Sequence, residues 1–263
     1  MADAHVNGVR LYYEEHGSGA PILCIHGTSS SAKVWRGAAT ETLARLGRVI
    51  IYDRRGCTRS ERPQPYETSV AQHADDAAAL LKALDASPAI LVGRSYGGAV
   101  AIGVALSNPE LVRALVLLEP GDVVVDGDES AWEEEMRRAV EEAAATDVSR
   151  VAEAMLRSVL GDGQWESLPA EYKEMFADNS PAVLAEVRGP RLDVASADLA
   201  AIGVPVLLVA GESSLPEFRR INERLAAAIP DTRTVLVGGG HLIDPGEPSV
   251  LRFIGEVLGR AVA

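Results

Sequence analysis

Two cysteines, Cys24 and Cys57, stand in 263 residues. That is too few for a disulfide framework, and their spacing is not that of metal ligands. Cys24 lies inside the apolar run Pro21-Ile22-Leu23-Cys24-Ile25, where a thiol serves as a small buried hydrophobe. Cys57 falls in a loop with nothing nearby that argues for reactivity. No apolar run approaches the roughly 18 residues needed to cross a bilayer. The N-terminus lacks a basic start followed by an apolar stretch, so no signal peptide is expected and a cytoplasmic address follows. Basic residues are scarce against acidic ones, 25 to 38, for a net charge of −13. That balance disfavours nucleic acid and membrane surfaces as partners. The excess is local, since residues 121–198 hold 19 acidic and 7 basic residues. Aromatic residues are only 5% of the chain, so the three tryptophans, Trp35, Trp132 and Trp165, become candidates for pocket walls.

What is present is an alternation. Short apolar, β-branched runs at residues 9–13, 21–25, 49–52, 89–92, 115–118, 206–210 and 234–237 read as strands covered on both faces. Helical patterns at 71–84, 96–107, 216–228 and 248–258 fall between them. The fold class is therefore α/β, a mostly parallel central sheet with helices on both faces. Residues 121–198 break the rhythm with helical patterns at 131–145 and 148–160 and no convincing strand. The expected organisation is a core of residues 1–120 and 199–263 with a helical cap, 121–198, over the carboxyl edge of the sheet.

The most informative stretch is Ala89-Ile90-Leu91-Val92-Gly93-Arg94-Ser95-Tyr96-Gly97-Gly98-Ala99. A strand runs into Gly-Xaa-Ser-Xaa-Gly and then a helix of small residues. A serine on so sharp a turn has a strained backbone, and its neighbours have no room for side chains. Its hydroxyl is then held at a helix N-terminus, where a developing oxyanion is favoured. Ser95 is the expected nucleophile. With Leu23-Cys24-Ile25-His26-Gly27-Thr28, Tyr52-Asp53-Arg54-Arg55-Gly56 and Gly239-Gly240-His241 in that order, the chain resembles a capped α/β-hydrolase along nearly its whole length. The resemblance implies an oxyanion hole from the backbone N–H groups of Tyr96 and Thr28, with Ser29 as the fallback. It also marks Asp53 to Ser60 as a structural loop, in which Thr58 replaces a customary glycine.

Of five histidines, only His241 follows a late strand, after Gly238-Gly239-Gly240. An imidazole delivered there can take and return the serine proton near neutral pH. His26 is read as a loop buttress. The acid is less direct. The resemblance implies an aspartate after the strand at 206–210, but the sequence reads Gly211-Glu212-Ser213-Ser214. A serine cannot stabilise an imidazolium. Glu119, ending the apolar strand before Pro120, occupies the place where some dehalogenases and fungal lactonases keep their acid. It is preferred over Glu212.

The chemistry expected is acyl transfer to water through an acyl-enzyme on Ser95. No phosphate-cradling loop or metal-ligand cluster is visible, so no cofactor and no metal is inferred. Trp35, Trp132, Met155, Trp165 and Ile243 are the candidate substrate-binding residues. The expected substrate is a neutral, largely apolar ester or lactone, with some likeness to zearalenone-type lactonases. Carbon–carbon bond hydrolysis, amide hydrolysis and a non-catalytic ligand receptor are the rival readings, and a homodimer is left open.

Overall fold

The computed structural model describes residues 2–37, 39–128 and 130–260. Its ten strands are β1 (Ala2–Val6), β2 (Val9–His16), β3 (Pro21–Ile25), β4 (Arg48–Tyr52), β5 (Ala89–Arg94), β6 (Val112–Leu118), β7 (Val123–Val125), β8 (Leu192–Val194), β9 (Val206–Gly211) and β10 (Thr232–Val237). Eight form one sheet in the order β1-β2-β4-β3-β5-β6-β9-β10. Every neighbouring pair from β4 to β10 is parallel, and β2 alone runs against the rest.

Alternation along the strands divides the core between the two faces. Leu23, Ile25, Ile50, Leu91, Leu115 and Leu117 pack on one side with α1 (Val70–Ala83) and α2 (Tyr96–Ser107). Ile22, Cys24, Ile51, Val92, Val116 and Leu118 pack on the other with Trp35 and the C-terminal α10 (Pro248–Val257). The Ser69 side chain caps α1 by accepting from the Gln72 N–H at 3.1 Å. Helix α2 is buried on nearly every side, which its run of Ala, Gly and Val allows. Both thiols are buried, and desolvation pushes each up to about 12, so neither is a reactive loop cysteine.

Between the two halves of the core lie α3 (Ala131–Thr146), α4 (Val151–Leu160), α5 (Asp162–Ser167), α6 (Ala170–Asp178) and α7 (Ser180–Arg188). A reciprocal capping box, Ser130 with Glu133, starts α3. Val140, Met155, Leu156, Trp165 and Phe176 form their own apolar cluster, joined by Phe218 from α9 (Pro216–Ala228), which follows the one-turn α8 (Ser196–Leu199). The expectation of no strand in 121–198 is corrected. β7 and β8 pair in parallel, Val123 against Leu192, and their buried residues Val123, Val125 and Val194 join the main core. Three-residue strands with distant partners fall below the length at which alternation can be read. Among the described residues no helix is long and apolar enough to cross a membrane.

Candidate active site

Ser95 sits between β5 and α2 with φ +52° and ψ −124°, outside the regions that L-residues prefer. Three glycines make this bend possible. A Cβ on Gly93 would lie 2.4 Å from the Gly97 carbonyl oxygen, one on Gly97 2.1 Å from that of Ile25, and one on Gly98 2.7 Å from Pro120 Cβ. The helix therefore starts in contact with the end of β3, and the first N–H groups of α2 have no acceptor within the helix. The Ser95 N–H donates to the Leu118 carbonyl at 3.1 Å, which anchors the bend to β6.

Glu119 follows directly at the end of β6 and is fully buried, at φ +48°. One carboxylate oxygen accepts from the Gly211 N–H at 2.6 Å. The other lies 2.7 Å from His241 Nδ1. Burial pushes this carboxyl up, but hydrogen bonding and charge from His241, with help from the Gly211 N–H, outweigh it and hold it below the usual carboxylate range. Ser214 adds to this from close by, although its hydroxyl makes no hydrogen bond. An ionised Glu119 only accepts, so Nδ1 carries the imidazole proton and Nε2 is left as the basic nitrogen. Glu212, the other acid considered, is exposed. Phe218 stacks on the His241 ring at 4.1 Å between centroids. No hydrogen bond joins Ser95 to His241 among the described residues, but both line one cavity with Thr28. Pairs of this kind are often long before substrate binds and tighten afterwards.

Thr28 and Ser29 are buried, and Ser29 takes φ +63°. Their backbone is clamped from two directions. Arg54, fully buried, donates from Nε to the His26 carbonyl and from Nη2 to the Gly27 carbonyl, both at 3.0 Å. Its guanidinium also lies 4.6 Å from the centre of the Tyr96 ring. From the cap side, Asn179 Nδ2 donates to the Ser29 and Ser30 carbonyls at 3.2 and 3.0 Å. His26 buttresses the loop: its Nε2 accepts from the Arg54 N–H at 2.9 Å, while burial and the Arg54 charge hold it well below the usual imidazole value and so neutral. The neighbouring arginines pair as a basic run should, Arg55 with Asp76 and Arg59 with Asp53 and Glu14. Arg62 instead donates to the Gly56 and Asp178 carbonyls.

Two cavities meet at Ser95. One is walled by Val34, Met155, Leu156, Leu160, Phe176 and Leu242, with Thr28 and His241 at its base. The second is lined by Trp132, Met136, Met155, Phe218, Asp122 and Arg137, among others. Trp132 and Met155 are thus lining residues. Trp165 is packed inside the cap cluster. Trp35 and Ile243 lie in the sheet-side core and are not among the lining residues, which corrects their placement as substrate contacts. Both instead hold Arg94: the guanidinium lies 4.6 Å from the Trp35 ring centre and donates to the Ile243 carbonyl. Arg94, Asp122, Arg137, Asn179 and Phe218 were not singled out from sequence. Only Arg94, inside the Gly-Xaa-Ser-Xaa-Gly stretch, carried a local signal. Among the described residues no group of three or more His, Cys, Asp or Glu is placed to hold a metal ion.

An elbow serine at a helix N-terminus and a carboxylate-bound histidine beside the same cavity, walled in part by residues of α3, α4 and α6, fit the hydrolase class of this fold. The chain belongs to the α/β-hydrolase fold family, whose sequence profile matches residues 20–244. It is 30% identical over 276 residues to a putative carbamate hydrolase, RutD, of Azorhizobium caulinodans, spanning 98% of this chain and 99% of that one. Among solved structures it resembles Est816, described as an N-acyl homoserine lactone degrading enzyme, with 27% identity and a TM-score of 0.77 over 99% of this chain and 100% of that one. A thermophilic esterase from Thermogutta terrifontis has 28% identity and a TM-score of 0.77 over 98% and 97% of the two chains.

Proposed function

We propose that this chain is a serine hydrolase that cleaves a carboxylic ester or lactone of a largely apolar small molecule through an acyl-enzyme on Ser95. The observation that carries this reading is the strained Ser95 bend, opening on the same cavity as a His241 ring whose Nδ1 lies 2.7 Å from buried Glu119. His241 Nε2 removes the Ser95 proton as the hydroxyl attacks the carbonyl carbon. Glu119 stabilises the imidazolium that results. The backbone N–H groups of Tyr96 and Thr28 receive the oxyanion, and each such donor lowers the barrier by about 3 kcal/mol. His241 then protonates the leaving alkoxide, and water activated by the same nitrogen releases the acid. The apolar walls of the first cavity suit a hydrocarbon group on the reacting carbonyl.

The esterase and lactonase likenesses support an oxygen leaving group, while the putative carbamate hydrolase leaves the acyl side open. A fluorophosphonate probe should label the protein and fail to label Ser95→Ala. A panel of p-nitrophenyl esters, γ-lactones, amides and vinylogous diketones then ranks the reaction types. Labelling that persists in Ser95→Ala would overturn the reading, as would turnover confined to the diketones.

A further inference from the structure

We propose that the second cavity at Ser95 binds an amide-type group, one N–H and one C=O, between Asp122 and Arg137, so that the substrate is an ester or lactone bearing an acylamino or carbamoyl substituent. This rests on the serine-hydrolase reading and names the substrate class of the same site.

The cavity holds four charged side chains, and two of them satisfy each other. Arg191 Nη1 lies 2.8 Å from Glu133 Oε2. The remaining two differ. Asp122, at φ +58° in the turn after β6, accepts from the Leu192 N–H through its main-chain carbonyl, but its carboxylate accepts no hydrogen bond among the described residues. Arg137, on the face of α3 that also carries Trp132 and Met136, donates to the Val187 carbonyl at 2.8 Å and forms no ion pair among the described residues. Both line the cavity that Ser95 lines, and they are not bridged to each other. An acceptor and a donor therefore face one space with their charges balanced overall. A carboxylate or an ammonium group would bring an uncompensated charge into a half-buried place. An amide brings none: its N–H donates to Asp122 and its oxygen accepts from Arg137. Trp132, Met136 and Phe218 supply apolar contact for the rest of the substituent.

The titration of Asp122 gives the arrangement a signature. Burial, then Glu186 from α7 and Glu133 from α3, push this carboxyl up to about 6, against the pull of Arg137 from α3 and Arg191 before β8. Above that value Asp122 is an ionised acceptor. Below it a proton occupies the carboxyl, and discrimination in favour of a donor weakens.

The test uses the p-nitrophenyl esters of N-acetylglycine, N-acetyl-β-alanine and N-acetyl-4-aminobutyrate. Each is compared with its N-methyl derivative and with the acetoxy analogue in which oxygen replaces N–H. In the wild-type protein at pH 7.5, kcat/KM for at least one N–H ester should exceed both of its analogues by about tenfold or more, because a site built around a hydrogen bond rejects the partner that lacks it. That ratio should shrink toward 1 in Asp122→Ala and in Arg137→Met, recover in part in Asp122→Asn and Arg137→Lys, and fall as pH drops from 7.5 to 5. No preference at any chain length, or a preference undiminished in Asp122→Ala, would overturn the assignment while Ser95 labelling by fluorophosphonate still upheld the hydrolase. If Ser95 is not labelled and no ester turns over, titration calorimetry of Ser95→Ala with the corresponding methyl esters decides the binding site by itself. Tighter binding of an N–H ester than of its N-methyl derivative upholds it, and equal binding overturns it.

Discussion

Glu119 and Ser95 both hold positive φ, a conformation that costs a non-glycine residue about 1 kcal/mol or more. At Ser95 the strain presents the hydroxyl at the start of α2. At Glu119 it aims a buried carboxylate at His241 Nδ1. Replacing the acid by its amide keeps the shape but removes the charge that fixes the imidazole tautomer. Glu119→Gln should therefore lower kcat by about 10³-fold or more with the fold intact, while exposed Glu212→Gln leaves kcat within about twofold. Steady-state kinetics beside far-ultraviolet circular dichroism checks both. Asp122 yields a second prediction at this scale. An unfolded aspartate titrates near 4, whereas this one is pushed up to about 6 in the fold. Between those values the folded state binds more protons than the unfolded one, so the contribution of Asp122 to stability falls as pH rises and stays unfavourable above about 6. Asp122→Asn should raise stability on the order of 2 kcal/mol at pH 7.5, a gain that fades toward pH 4, as thermal melts across that range would show. Ser95, His241 and Glu119 were legible because each sits in a short local pattern: an elbow, a glycine run, a strand end. Asp122 and Arg137 were not, because their meaning lies in the partners they lack, and that depends on neighbours brought in from distant segments.

The elements of the core announced themselves where apolar runs were long enough for alternation or helical periodicity to register. The helices Tyr96–Ser107 and Pro216–Ala228 and the strand Pro21–Ile25 match their expected spans, and the other core strands differ mainly by extension at their ends. The N-terminal β1 was missed because its sequence, ADAHV, has one buried residue and is stabilised by pairing with β2, not by an apolar face. The contact between β3 and α2 is the junction on which the site depends, since it belongs to the same close approach that sets Gly27 against Ser95, where an added Cβ would lie 3.1 Å from Ser95 Cβ. Its closeness is set by Gly97, where an added Cβ would meet the Ile25 carbonyl oxygen at 2.1 Å. That obstacle is main chain inside a packed layer and cannot swing away. Gly97→Ala should cost about 3 kcal/mol or more, measured by denaturant unfolding, and should abolish fluorophosphonate labelling under conditions where the protein is still folded. Gly203→Ala serves as the comparison, because nothing lies within 4 Å of its added Cβ, and it should stay within about 0.5 kcal/mol of the wild type.

At the scale of the whole molecule, a buried ion pair joins the loop after β4 to α7. Arg54 of the core reaches Glu186 of α7 at 2.7 Å, with both side chains out of solvent. Burial works against the Arg54 charge, and Glu186 foremost, with Cys57 and Tyr96, outweighs it. The other donors of the same guanidinium hold the His26 and Gly27 carbonyls, the residues just before Thr28. Arg54 therefore ties α7 to the backbone just before Thr28, beside the contacts that Asn179 makes to Ser29 and Ser30. Two consequences separate stability from function. Glu186→Leu leaves a buried guanidinium without its counter-charge and should destabilise the fold by about 3–5 kcal/mol. Adding Arg54→Met removes the orphaned charge and should recover much of that loss, since apolar replacement of a whole buried pair is often neutral. The double variant nonetheless removes the Arg54 donor from the His26 carbonyl and leaves the Gly27 carbonyl with His26 Nδ1 alone, so the backbone ahead of Thr28 is held less firmly. Its kcat should stay at least about tenfold below wild type, with KM changed much less, because an oxyanion donor acts on the transition state more than on bound substrate. Urea unfolding and steady-state kinetics on the same three proteins provide the measurement. Recovery of kcat together with stability in the double variant would show that Arg54 serves packing alone and does not shape the backbone ahead of Thr28.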